Sequence, residues 1–372
     1  MVVDTNIFHG DPRMRRSHFR ILLGQHLRGR ITLALPEIVV REVPKLFQTQ
    51  VDAAATAITG EAAKLRDLGH DPGAITIPDS KTARADFNKQ FREGLEQRKV
   101  RIAPIAGTLD ELVNQSVTER RPFRPKSAGF RDALIWRSIL ELADEDEVVL
   151  ISKNWKDFAQ DDKHRDVLHQ HLREDLEAGG QPRDRVRLVP SLEDFIKAHV
   201  PTAAQLAIAQ QRFEDDPEWR EELTENIRSA LYAIDLEWPD RVTVVETESA
   251  DIDDVSVEDV ALDSVAIVDA YETDDEDVMA VEVRADATLW FSFTTDIVGA
   301  EWLIDERADV ELDQAAETLY QGRTMGQSVV VIYSADFSLQ SGELLGELEK
   351  VVAVDAGDEV GQRRSELAPG RE

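Results

Sequence analysis

Two periodicities divide the chain. Up to about residue 200, short unbroken apolar runs alternate with segments whose apolar residues recur every three or four positions. Beyond residue 242, apolar and polar residues alternate one by one. The first pattern is that of buried parallel strands separated by amphipathic helices, and the second that of strands with one wetted face. Strands are predicted at 2–3, running into Asp4, and at 31–36 (ITLALP), 100–105, 147–152 (EVVLIS) and 185–190 (RVRLVP). Helices are predicted over 13–27, from Pro36 through Phe47, from 129–136 (GFRDALIW) onward, and over 191–199 with Ser191 as its cap. Residues 52–99 read as a mostly helical insertion broken at 69–74 (GHDPGA), and 118–128 (TERRPFRPKSA) as a basic loop. Such alternation predicts a parallel-sheet α/β/α domain over residues 1–200.

Residues 201–240 predict a helical connector, and 241–360 a second, acidic α+β domain. Its period-two segments are VTVVETE, SVAIVDAY, VMAVEVRA and TLWFSFT, joined by acidic turns such as 273–277 (TDDED). An α/β remainder follows, with SVVVIYSADF and the amphipathic GELLGELEKVVAV, and then a frayed tail.

Charge sharpens this division. Of the net −31, residues 1–200 account for +1 (32 Lys and Arg against 31 Asp and Glu), and residues 201–372 for −32 (11 against 43). Only the first half could approach a phosphate backbone without strong repulsion. The acidic half reads as a solvated surface, or as a nucleic-acid mimic that masks the first. The absence of cysteine excludes disulfides and thiolate metal sites, and fits a cytoplasmic protein. No run approaches the roughly 20 apolar residues that span a bilayer, and the opening residues lack a leader pattern, so no membrane partner is expected.

Asp4, Glu42, Asp132 and the 152–157 segment each fall just past, or one helical turn beyond, the carboxyl end of a predicted strand. Ligands of doubly wound sheets sit outside those ends, so these residues would meet in one acidic pocket. Taken singly, each has an ordinary use: Asp4 caps a turn, Glu42 edges a helix, and Asp132 suits a helix N-terminus. Together they cannot all stay ionised without a counter-charge. Oxygen donors without Cys or suitably spaced His favour Mg²⁺ or Mn²⁺ over zinc.

The pattern resembles the PIN-domain family of metal-dependent nucleases. VVDTN supplies Asp4 and its polar companion Asn6, LPEIVVREV supplies Glu42, GFRDALIW supplies Asp132, and VVLISKNWKDF matches the fourth motif. In that fourth motif, Ser152 and Asn154 stand where many members have Thr and Asp, and Asp157 follows three residues on. The resemblance covers 1–200, and the insertion makes this a larger, helix-elaborated member.

The resemblance implies Mg²⁺- or Mn²⁺-dependent phosphodiester hydrolysis by an endoribonuclease acting on single-stranded or structured RNA. It implies Asp4, Glu42 and Asp132 as metal ligands, and Asn154 and Asp157 as further members of the catalytic site. Asn6, Arg124, Lys126, Arg131 and Ser152 would face the substrate. The alternative is a catalytically weak PIN scaffold that binds RNA or a protein partner. A phosphatase with Asp4 as nucleophile would want a second Asp where Asn6 stands. A protein inhibitor or regulator, and an oligomeric state, are compatible with such a domain.

Overall fold

The computed structural model describes residues 1–233, 252–296, 310–316, 319–324, 327–338 and 344–353. The chain divides into two compact units, Met1–Val200 and Pro201–Glu372. Two expected features, the VTVVETE strand and the frayed tail, lie outside the described residues.

In the first unit, β1 (Val2–Val3), β2 (Ala34–Pro36), β3 (Arg101–Ala103), β4 (Val148–Ile151) and β5 (Val186–Val189) form a parallel sheet in the order β3-β2-β1-β4-β5. Val2 pairs with Ala34 on one side and Leu150 on the other. Val2, Val3, Leu150 and Ile151 are fully buried, as two covered faces require. The covering helices are α1 (Ser17–Leu27), α2 (Glu37–Asp67), α3 (Ser80–Gln97), α4 (Leu109–Val117), α5 (Phe130–Glu145), the one-turn α6 (Trp155–Phe158), α7 (Gln170–Ala178) and α8 (Leu192–His199). The result is a three-layered α/β/α unit.

Helices α4 and α7 were not anticipated, although α4 carries a legible start: Thr108 and Glu111 form a reciprocal capping box. The insertion is simpler than its sequence suggests. Helix α2 runs unbroken from the second motif into the alanine-rich stretch, and α3 returns beside it. Phe47 stacks on Phe87 at 4.3 Å, and Phe91 meets Phe8 edge-on at 6.2 Å. These rings tie the helical pair to the core instead of leaving it as an appendage.

The second unit is α+β. Helices α9 (Ala203–Asp215) and α10 (Pro217–Tyr232) join β6 (Ile252–Glu272), β7 (Val278–Asp296), β8 (Val310–Ala316), β9 (Leu319–Thr324), β10 (Gln327–Ser338) and β11 (Leu344–Ala353). Strands run in the antiparallel order β11-β10-β7-β9-β8, with β6 also on β7. Three expectations change here. Residues 203–232 are no connector, because Trp219, Leu223, Ile227 and Leu231 are buried in one core with Val283 and Val331. VMAVEVRA and TLWFSFT belong to a single strand, since no breaker interrupts the inward series Val281, Val283, Ala285, Ala287 and Leu289. The expected α/β remainder is two further strands, β10 and β11, of the same sheet.

Candidate active site

In the order β3-β2-β1-β4-β5, chain connections leave β1 and β4 in opposite directions, which opens a crevice at their carboxyl ends. Asp4 is the first residue past β1, and Ser152 the first past β4; the Asp4 N–H still donates to the Ile151 carbonyl at 3.0 Å. The site is built around that junction.

Asp4 is buried and held from two sides. Ser152 Oγ donates to Asp4 Oδ2 at 2.5 Å, and Asn6 Nδ2 donates to the same oxygen at 2.7 Å. Asn6 also reaches Ser152 Oγ at 3.1 Å and accepts from the Lys153 N–H at 3.0 Å. Asn6 and Ser152 were expected to face the substrate. Their polar atoms here orient Asp4 and lock the β1 and β4 loops together.

Asp132 enters from the first turn of α5. The approach depends on Gly129, whose φ of +93° is left-handed and whose missing Cβ would lie 2.2 Å from the Pro122 carbonyl oxygen. Any side chain there would displace the turn that sets Asp132. Asn154 Nδ2 then bridges Asp132 Oδ1 at 2.8 Å and Asp157 Oδ2 at 2.7 Å. An aspartate at 154 would add a carboxylate between two others; the amide instead donates to both.

Glu42 and Asp157 are already neutralised by the chain. Arg131 Nη1 lies 2.6 Å from Glu42 Oε1, and Thr5 Oγ1 donates to Oε2 at 2.7 Å. Asp157, fully buried, is paired with Arg124, whose Nη2 donates to Oδ2 at 3.1 Å, and Arg121 stands 3.9 Å away. Arg124 was expected to contact phosphate, and Asp157 to belong to the catalytic site. In the structure each is the other's partner. Lys126 sits exposed on a short turn with φ of +66°. The Arg121 contribution was missed because its loop shows no periodicity; its cationic composition was the one available signal.

Asp4 and Asp132 are left without an ion-pair partner among the described residues. Burial foremost pushes the Asp4 carboxyl up to about 6, with Glu42 adding repulsion against the hydrogen bonds from Ser152 and the backbone. Burial also pushes Asp132 up to about 7, with Asp157 and Asp4 adding repulsion. A preformed cluster of three or more His, Cys, Asp or Glu side chains suited to a metal is absent among the described residues. Asp4 and Asp132 are the two carboxylates without an ion pair that could serve a hard cation there. Glu42 is a third donor only when the exposed Arg131 swings away, which an exposed ion pair opposes weakly.

A doubly wound α/β unit with buried carboxylates at its switch point is the class that this geometry defines. Residues 1–158 match the family model of the PIN domain, and they carry that fold. No curated protein and no solved structure matches the chain. Among the described residues, no helix is long and apolar enough to cross a membrane.

Proposed function

We propose that the first unit hydrolyses phosphodiester bonds in RNA with Mg²⁺ or Mn²⁺ held by Asp4 and Asp132. The observation that carries this reading is the pair itself: two carboxylates at a sheet switch point, both with raised proton affinity and neither in an ion pair among the described residues, with Arg131 acting on them only at longer range. A bound divalent cation would activate a water and stabilise charge on the phosphate. The chain's residues do the rest. Ser152 and Asn6 hold Asp4 to one rotamer, and Asn154 does the same for Asp132. Arg131, largely exposed and one residue before Asp132, is placed to exchange Glu42 for a substrate phosphate, which frees Glu42 for the site.

The test is cleavage of single- and double-stranded RNA and DNA by the full chain, with Mg²⁺ or Mn²⁺ and after EDTA. The expected result is RNA cleavage that EDTA stops and Asp132→Asn abolishes. A second reading, a scaffold that binds RNA or a protein without cutting, draws on the arginine pairs at Glu42 and Asp157 and on Asn154. RNA binding without cleavage at any metal concentration would establish it.

A further inference from the structure

A second feature of the first unit is not used by the site. Between α2 and α3 lies a groove of about 500 Å³, lined by Arg41, Gln48, Lys81, Arg84, Asn88 and Arg92 with two small apolar residues. Two of its four cations share one carboxylate, Glu37, whose Oε1 lies 2.7 Å from Arg41 and 3.1 Å from Arg92. Arg84 donates to the neutral Gln48 side chain at 3.3 Å, and Lys81 forms no ion pair among the described residues, feeling Asp79 only at longer range. Asp79, two residues before Lys81, spends its carboxylate capping α3 through Thr82. On α3 the positions 81, 84, 88 and 92 form one stripe, whereas Asp86 and Glu93 lie about a third of a turn away.

The groove is built rather than incidental. The Phe47–Phe87 stack holds its two walls together, and Arg13 covers both rings at 5.0 and 5.8 Å. From Lys81 to Arg92 the stripe runs ~16 Å, longer than a single phosphate needs. The α2 wall beyond Gln48 meets Asp52 one turn on, which ends the cationic run.

We infer that this groove binds the sugar–phosphate backbone of single-stranded RNA. Guanidinium forks and an ammonium, set among amide side chains without an apolar wall or a base-stacking ring on the lining, suit phosphates and ribose rather than bases. The inference concerns binding alone and does not depend on the nuclease reading.

The experiment measures binding of a labelled single-stranded RNA of about 20 nucleotides to the full chain in EDTA, by anisotropy across a salt series. Cleavage with Mg²⁺ is measured separately. Removing both unpaired cations, in K81A/R84A, should weaken binding roughly tenfold at low salt and flatten the slope of log affinity against log salt by about 1.4. Both side chains are exposed, and K81Q/R84Q should reproduce the loss if it comes from charge.

Wild-type cleavage together with unchanged binding by the variant overturns the groove and leaves the nuclease reading standing. Loss of binding in the variant, with no cleavage by either protein, supports the groove and overturns the nuclease. A wild-type chain that binds no RNA overturns the groove. So does a variant that loses polyglutamate but keeps RNA, which would assign the groove to an acidic polypeptide.

Discussion

The first unit holds 31 Asp and Glu against 32 Lys and Arg, and the second 43 against 11, yet the chemistry gathers where acid is scarcer. In the first unit, Asp4, Asp132, Glu42 and Asp157 converge from β1, α5, α2 and α6, and all four are set by polar contacts across more than 20 residues of chain. In the second unit, carboxylates such as Glu276 and Asp277 sit exposed on the β6–β7 turn, with water as their counter-environment. Water screens such charges and leaves little energy in them. Carboxylates therefore become reactive by burial and convergence, not by number.

That contrast breaks most sharply at Asp132. Asp132→Asn is nearly isosteric and keeps a partner for Asn154, so the fold should survive while cleavage falls by about a thousandfold or more. Full activity in a purified sample free of contaminating nuclease would remove the pair from the mechanism.

Gly129→Ala tests the route by which Asp132 arrives. The added methyl would meet the Pro122 carbonyl at 2.2 Å in a left-handed conformation, so a loss of about 3 kcal/mol or more in unfolding free energy is expected. Wild-type stability in a denaturant titration would mean that the turn relaxes freely.

Asp157→Asn probes the compensated half of the pocket. It removes the charge that faces Arg124 but keeps the volume, and Arg124 can rehydrate because it is partly exposed. The expected cost is about 1–3 kcal/mol. Metal dependence should change little, because Asp157 is bound to arginine; a large rise in the Mg²⁺ concentration needed for activity would add it to the metal ligands.

Acidity itself gives the next measurement. The folded carboxyls of Asp4, about 6, and Asp132, about 7, lie above the ordinary aspartate value near ~3.9. The folded state thus binds these protons more tightly than the unfolded chain does. Stability from the neutral forms is complete below about pH 4 and is lost as pH rises through 6 to 7. In EDTA, the melting temperature attributable to the first unit should fall from pH 5 to pH 8, by less in Asp132→Asn. Mg²⁺ should restore it at pH 8 far more than at pH 5. A pH-independent transition, unaffected by Mg²⁺, would show that the pair is already compensated.

The smallest effect belongs to the second unit. Replacing Glu276 by Gln and Asp277 by Asn should move stability by no more than about 0.5 kcal/mol and leave cleavage unchanged. A marked change in either would give the acidic surface a part in the function that its exposure does not suggest.

What the sequence determined by itself was local or periodic. Apolar runs at 2–3 and 148–151 announced two-faced burial, and the alternation of strands with helices announced the parallel sheet. The motif order placed Asp4, Glu42 and Asp132 past strand ends, because a carboxyl end is identifiable wherever an apolar run stops. The second unit was less legible: period two finds strands, but it does not say where one strand ends when no Gly or Pro intervenes, so β7 read as two. Tertiary structure decided which charges remain uncompensated. Arg131 meets Glu42 across 89 residues, Ser152 meets Asp4 across 148, and Arg124 meets Asp157 across 33. Spacing along the chain carries no trace of such meetings. An ion pair forms where two side chains reach each other in space, and the crossing of β1, α2, α5 and the 118–128 loop sets that distance.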